Sequence, residues 1–286
     1  MSKGWRASRS FWVNKIADAT QSLEAFVDAY PRLFVLTGAG VSTDSGIPDY
    51  RNRAGQWKRP PPMTYALFMG DSAARARYWA RSMVGWRAFG VAAPNDAHRA
   101  LAAMEREGRI ELLVTQNVDR LHQIAGSRAV VDLHGRLDQV RCMACEARLH
   151  RRHWQDSLEA LNPAWSSREA DIAPDGDADL DETDFSSFVV PPCPRCGGVV
   201  KPDVVFFGEN VPPERGRQAM AALTSADAVL VLGSSLMVYS GYRFALAAVR
   251  EGKPLAAVNL GHTRADGMLS LKLDVPVGQA LEPWMS

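Results

Sequence analysis

With 286 residues, 47% of them hydrophobic and 23% charged, the chain has the balance of a folded globular protein long enough to bury a sizeable core. Its 33 lysines and arginines against 32 acids leave a formal charge of +1, which gives no electrostatic case for nucleic acid or an anionic membrane as the main partner. No apolar run approaches the roughly 18 residues that a membrane span needs.

Met1 to Ala17 carries Lys3, Arg6, Arg9 and Lys15 and no acid, and it lacks the apolar stretch of a secretory signal. We read it as a basic leader on a cytoplasmic protein; a short mitochondrial presequence, which would place the protein in the matrix, is the alternative. Thr20 to Tyr30 has Leu23, Phe26, Val27 and Tyr30 at helical spacing and ends at Pro31. Leu33 to Leu36 is a continuous apolar run of the kind that forms a buried parallel strand, and it leads into Gly38-Ala39-Gly40. Tyr50 to Ala93, rich in Arg, Trp and Pro, reads as a helical insert. A helix from about Ala97 to Glu107 is capped by Asn95-Asp96 and stopped by Gly108. Strands are expected at 110–114 and 129–133, ending at Thr115-Gln116-Asn117-Val118-Asp119 and at His134.

Further on, strands are expected at 204–207, 228–232 and 255–258, and helices at 217–223 and from a Ser240 cap to Glu251. Alternating strands and helices imply an α/β protein with a Rossmann-like, doubly wound parallel sheet. Its core would comprise 20–50, 98–135 and 203–286, with the helical insert at 51–97 and a small zinc-ribbon module at 136–202, all in one domain over 1–286. Small polar residues or glycine follow most strands at the carboxyl edge, where such sheets bind ligands. The stretch Glu169 to Asp184 holds eight acids and no base. Asp175-Gly176-Asp177-Ala178-Asp179 lacks the glycine and glutamate positions of a calcium loop, so a solvated loop is expected.

Cys142, Cys145, Cys193 and Cys196 form two Cys-x-x-Cys pairs and are the only cysteines. They suit a tetrahedral structural zinc, although 47 residues, 146 to 192, separate the pairs. The rival is a thioredoxin-type dithiol at Cys193 and Cys196, but that motif opens a helix, whereas Gly197-Gly198 follows here. Gly38-Ala39-Gly40 at a strand end can present backbone N–H groups to a pyrophosphate. It departs from the dinucleotide fingerprint of dehydrogenases, and no acid ends the next strand to hold a ribose. His134 lies on the ligand edge, with Gly135 leaving room beside it. Asn117 and Asp119 occupy the neighbouring strand end and could hydrogen-bond an amide or ribose.

The run from Gly38 to Arg51, GAGVSTDSGIPDYR, resembles the signature of the sirtuins, NAD-dependent protein-lysine deacylases. The family's other blocks follow in order: Thr115 to Asp119, His134-Gly135, the two cysteine pairs, Lys201 to Glu209, Gly233-Ser234-Ser235-Leu236 and Val258 to Gly261. Tyr50, together with the run Tyr239 to Arg243, resembles the class II branch, which includes a lipoamidase-like mitochondrial member.

The resemblance implies two substrates, NAD and the acylated lysine of a protein, and one structural zinc. Gly38, Ala39, Gly40, Gly233, Ser234 and Ser235 would line the NAD phosphates and ribose. Asn259, Leu260, Gly261 and Val277 would surround the adenosine. Ile47, Gln116, Asn117 and Asp119 would enclose the nicotinamide, under a loop carrying Asp49, Tyr50 and Arg51. Val205, Phe206, Phe207 and Gly208 would pair with the substrate backbone, Val205 accepting the acyl-lysine N–H. His134 would be the base and Asn117 its catalytic neighbour, giving nicotinamide, 2′-O-acyl-ADP-ribose and free lysine. ADP-ribosyl transfer or lipoamidase chemistry in the same pocket is the alternative. From other classes, a zinc-ribbon binding module and an oxidoreductase are the rivals. Tyr78 and Arg81 fall on one helical face, and in related class II members such a pair binds acidic acyl groups, so the expectation is an enlarged pocket that accepts longer or acidic acyl chains at least as well as acetyl. The bland reading makes Tyr78 a core aromatic and Arg81 a surface residue.

Overall fold

The computed structural model describes residues 4–285 apart from 60, 61, 169, 171, 172, 174 and 181–183, with side chains from Ile16 onward. Lys3 and the side chains of Arg6, Arg9 and Lys15 in the basic leader therefore lie outside the described residues, as do Glu169, Asp171, Asp181 and Glu182 of the acidic stretch.

In chain order the main elements are α1 (Gly4–Ala29), β1 (Leu33–Thr37), α2 (Tyr65–Gly70), α3 (Ser72–Phe89), α4 (Asp96–Arg106), β2 (Ile110–Thr115), α5 (Leu121–Ile124) and β3 (Val130–Asp132). There follow β4 (Gly135–Cys142), β5 (Arg148–His150), α6 (Arg151–Leu161), β6 (Val200–Val204), α7 (Pro213–Ser225), β7 (Ala228–Leu232), α8 (Tyr239–Arg250), β8 (Leu255–Val258), β9 (Leu271–Leu273) and α9 (Val277–Ala280). The first helix starts far ahead of the expected Thr20, because the apolar period from Ala19 to Val27 docks its second half and the preceding residues propagate the helix.

Six strands form one sheet in the order β3-β2-β1-β7-β8-β9, and every pairing is parallel. The chain moves outward from β1 through β2 to β3, then returns to lay β7 against the other side of β1. That reversal opens a crevice at the carboxyl ends of β1 and β7, the place where doubly wound sheets bind ligands.

Alternation along each strand splits the core in two. Leu33, Val35, Leu113, Leu230 and Val258 face one side and meet Leu23 and Phe26 of α1 and Leu101 and Met104 of α4. Phe34, Leu36, Val114, Val229 and Val231 face the other and meet Leu223 of α7 and Phe244 and Ala248 of α8. Helices on both faces explain why the strands read as unbroken apolar runs.

The expected strand at 204–207 is not part of this sheet. The strand is Val200–Val204, and it lies in a separate antiparallel sheet of order β5-β4-β6. The hydrophobic run alone could not reveal its partner. Val205 to Phe207 continues as a loop against α2, where Tyr65 N–H donates to the Phe207 carbonyl at 2.9 Å.

A third core joins the small sheet to α2, α3 and α6 through Phe68, Tyr78, Trp79, Trp154, Leu158, Trp165 and Phe206. The Trp79 indole N–H donates to the Val200 carbonyl at 3.3 Å. Part of the described acidic stretch also belongs here, contrary to the solvated loop expected. Asp177 and Ala178 are buried, and Ala178 N–H donates to the Arg81 carbonyl at 2.9 Å. Gly85 of α3 admits the loop: a Cβ there would lie 2.2 Å from the Gly176 carbonyl oxygen.

Gly135 joins the two sheets. Its φ is +88°, and a Cβ would fall 2.1 Å from the Asp203 carbonyl oxygen. Beside it, Val205 N–H donates to the His134 carbonyl at 2.7 Å. Gly135→Ala is therefore expected to destabilise the protein by at least ~1–3 kcal/mol, from backbone strain plus the clash. Thermal melts of the variant check this; an unchanged melting temperature would contradict the packing described.

Candidate active site

A cavity of about 410 Å³ occupies the crevice between β1 and β7 and runs toward α3 and the loop after β6. Its floor is two glycine turns in backbone contact. Gly38 N–H donates to the Leu232 carbonyl at 3.1 Å, and Gly40 N–H to the Gly233 carbonyl at 2.9 Å. A Cβ on Gly40 would lie 2.9 Å from Gly233 Cα, and one on Gly233 would lie 2.5 Å from Val41 N. No side chain larger than hydrogen fits there, so backbone lines the cavity floor. A concave surface of backbone at the head of a parallel sheet suits a pyrophosphate.

The end of β2 supplies the next layer. Gln116 Nε2 donates to the Ser234 hydroxyl at 2.8 Å and to the Thr37 carbonyl at 3.2 Å, tying the end of β2 to the ends of β1 and β7 on one side of it. Asn117 Nδ2 donates to the Gly38 carbonyl at 3.1 Å and the Ser42 hydroxyl at 3.0 Å. Ser42 donates in turn to Asp119 Oδ2 at 2.7 Å. Burial pushes the Asp119 carboxyl up, opposed by the Leu121 N–H and Ser42 donors. Ser42 is thus a site residue that went unnoticed inside the glycine-rich block; only its tertiary partners single it out.

His134 follows β3 and turns into the cavity. Its Nδ1 lies 3.0 Å from the Gln116 carbonyl oxygen and its Nε2 lies 2.7 Å from the Ser240 hydroxyl. A carbonyl only accepts, so Nδ1 carries the proton and Nε2 presents a lone pair. Burial lowers the imidazole to about 4, helped by the charges of Arg215 and Arg243 and opposed by the Gln116 carbonyl. The ring is a neutral base at physiological pH.

Ile47, Asp49, Tyr50 and Arg51 line the near wall. Arg51 stacks on Trp57, 3.9 Å from the ring centroid, and donates to the Gly55 carbonyl at 2.8 Å. Asp49 pairs with Lys58. The far wall is Val205, Phe206, Phe207 and Gly208, a loop braced by the buried Lys201, whose Nζ lies 3.1 Å from Glu209. Phe206 N–H donates to Glu209 at 3.0 Å. Ala39, Ser235, Asn259 and Leu260 also line the cavity.

Three expected residues do not line it. Gly261 packs on Arg53 and donates to Asp274 at 2.9 Å. Val277 is buried with Val41 in the core beneath the glycine turn. Arg81 is set back on α3, with its charge facing Asp175 and Asp177. Tyr78 does line the cavity, edge-on to Phe68 and Phe206 with ring centroids 5.3 Å away in each case. Asp175 lines it too, although its acid-rich neighbourhood suggested solvent.

The four cysteines stand at one end of the small sheet. Their sulfurs all lie within 4.8 Å of one another, and the closest contacts cross between pairs, Cys142 to Cys196 at 3.5 Å and Cys145 to Cys193 at 3.8 Å. Tetrahedral Zn–S bonds of about 2.3 Å put sulfurs roughly 3.8 Å apart, so the set fits one zinc. A dithiol at Cys193 and Cys196 would not bring in the other pair. Four closed ligands make the metal structural.

Fold and site together define a nucleotide-binding α/β protein with a structural zinc and a half-buried histidine in its cavity. Residues 38–240 match the Sir2 family, and the chain belongs to that family. It is 65% identical over 261 residues to an NAD-dependent protein deacetylase of Bordetella bronchiseptica, covering 91% of this chain and 95% of that one. It is 63% identical over 266 residues to one from Xanthomonas campestris, covering 93% and 91%. Among solved structures, a Sir2–p53 peptide–NAD+ complex superposes with a TM-score of 0.71 at 32% identity, covering 92% of this chain and 96% of that one. Sir2Tm bound to a propionylated peptide gives 0.72 at 32% identity, covering 93% and 96%.

Purified protein is expected to carry one zinc per chain, and Cys196→Ser to lose both metal and folded protein, since structural zinc contributes directly to folding. Metal analysis by mass spectrometry and circular dichroism measure the two; folded, metal-free wild type would refute the assignment.

Proposed function

We propose that the protein is an NAD-dependent protein-lysine deacetylase and that His134 is its base. The observation that carries this reading is His134 itself: Nδ1 committed to a backbone carbonyl and Nε2 turned into a cavity floored by two glycine turns. The relatives at 60–65% identity named as NAD-dependent protein deacetylases support it.

NAD is a substrate here and is spent: its bond to nicotinamide is exchanged for one to the acyl oxygen. Asn117 and Asp119 hold the nicotinamide amide, and the loop from Asp49 to Arg51 closes over it. The acyl-lysine lies along Val205 to Gly208 by backbone pairing, a mode tolerant of peptide sequence. Holding the weakly nucleophilic acyl oxygen against the ribose carbon in a dry pocket is a positioning effect. His134 then takes a proton released from the ribose hydroxyls, a water adds to the acyl carbon and supplies the second ester oxygen, and free lysine and 2′-O-acetyl-ADP-ribose leave. We assign it to the cytoplasm, in keeping with its bacterial relatives.

Incubation with NAD and an acetylated peptide should release nicotinamide and free lysine peptide. His134→Ala should stay folded and lose roughly two to four orders of magnitude in turnover, the weight of a general base. Label appearing on protein instead would favour ADP-ribosyl transfer. Protonation of His134 abolishes the base, and its lowered pKa moves that loss toward about pH 4. The kcat/KM profile of the free enzyme should accordingly stay flat from pH 8 through 6; an acid limb near an ordinary imidazole value would contradict this.

For the acyl group, Arg81 faces Asp175 and Asp177, so its charge is already met, and Asp175 adds a carboxylate to the cavity wall. We expect acetyl and longer neutral chains to be removed in preference to succinyl and glutaryl, with Asp175→Asn narrowing the gap. Competition assays on a peptide panel decide it, and preferred removal of succinyl by wild type would overturn the reading.

A further inference from the structure

Ser240 reads in sequence as the cap of a helix. The structure assigns the cap position to Val238, with no side-chain cap, and puts Ser240 in the first turn of α8. Its hydroxyl is spent elsewhere, on His134 Nε2 at 2.7 Å.

That contact matters because of what the ring has left to offer. Nδ1 carries a proton and is held by the Gln116 carbonyl, so Nε2 has the only lone pair on the ring. The same lone pair must accept the proton of the ribose hydroxyl in the proposed reaction. Ser240 donates to it and retains two lone pairs of its own, for which the described residues supply no donor. Ser240 also lines the cavity with His134, Asn117 and Ser235. A hydroxyl that donates to a base and can accept from a substrate hydroxyl is a one-atom proton wire.

We propose that Ser240 is the proton relay between the ribose hydroxyls of bound NAD and His134. The proposal rests on the deacetylase reading above. In the step, the ribose O–H bond breaks and its proton goes to Ser240 Oγ. The Ser240 O–H bond breaks at the same time, and that proton goes to His134 Nε2. The ribose oxygen keeps its electron pair and bonds to the acyl carbon, whose C=N π bond to the lysine nitrogen opens, leaving that pair on the nitrogen. Ser240 ends as it began, and the imidazolium later returns its proton to the departing lysine nitrogen by the same path.

Arg243, one turn further along α8, fits this arrangement. Its Nε and Nη2 are buried without a hydrogen-bond partner, and its guanidinium carbon lies 4.9 Å from the Phe244 ring centroid. The charge of this partly buried guanidinium adds to the burial that lowers His134, and so disfavours a lasting imidazolium: a proton accepted there is held briefly and handed back. A hydroxyl in permanent contact with Nε2 makes both transfers short.

The test uses Ser240→Ala and Ser240→Thr in the zinc-loaded 286-residue chain with an acetylated peptide. Wild type must first show NAD-dependent deacetylation; if it does not, the functional reading fails and the relay with it. Exchange of labelled nicotinamide into NAD reports the bond exchange that precedes proton transfer. Ser240→Ala should retain exchange while deacetylation falls about 10- to 100-fold, less than loss of the base itself. Ser240→Thr, which keeps the hydroxyl, should restore most of the rate. A proton inventory in mixed light and heavy water should change from a two-proton curve in wild type to a single-proton line in Ser240→Ala. Wild-type deacetylation by Ser240→Ala overturns the relay. So does parallel loss of exchange and deacetylation, which would make Ser240 a structural or binding residue only.

Discussion

The structure depends on one close approach of backbone to backbone. Where β7 returns to lie beside β1, the turns after the two strands meet at distances that exclude any Cβ on Gly40 or Gly233. A parallel pair at a switch point needs only strand pairing; a ligand site there also needs the turns flattened out of the way. Glycine does both, at an entropic cost that the fully buried strands around it offset. The end of β2 is then set by the same turns, because Gln116 and Asn117 hydrogen-bond across to Ser234 and Gly38. Loosening the glycine contact would therefore disturb the cavity floor, the Gln116–Asn117 strand end and His134, which hydrogen-bonds to the Gln116 carbonyl, together.

Electrostatics in the cavity follow from burial more than from charge pairing. Desolvation drives the shifts of His134 downward and of Asp119, Tyr50 and Tyr78 upward. Each shift favours the uncharged form. A low-dielectric pocket of neutral polar groups suits a reaction that develops charge on substrate atoms, since oriented dipoles act more strongly there than in water.

The zinc-bearing sheet does more than hold metal. It shares a core with α2, α3 and α6, and through Gly135 and the His134 carbonyl it is joined to the strand end that carries the base. Zinc at one end of β4 and the histidine at the other end are thus connected by a single eight-residue strand. Gly176, Asp177 and Ala178 of the acidic segment pack against α3, where Arg81 and Arg151 offset part of the charge on Asp177.

The sequence by itself determined what is local. The apolar runs of β1, β2, β7 and β8, the glycine turns after them and the two cysteine pairs were legible because each is a short pattern with one physical use. Burial on both faces makes a parallel strand apolar throughout, and a metal knuckle imposes its own spacing. What depended on partners distant in the chain was decided only by the tertiary structure. Val200 to Val204 joined the small sheet because β4 offered the open edge, not because of anything in its own residues. Arg81 was drawn back by Asp175 and Asp177, more than ninety residues away. Ser240 gave its hydroxyl to His134 instead of its own helix, 106 residues apart, because a neutral imidazole lone pair lay within reach and a hydrogen bond goes to the best-placed partner, whatever its distance along the chain.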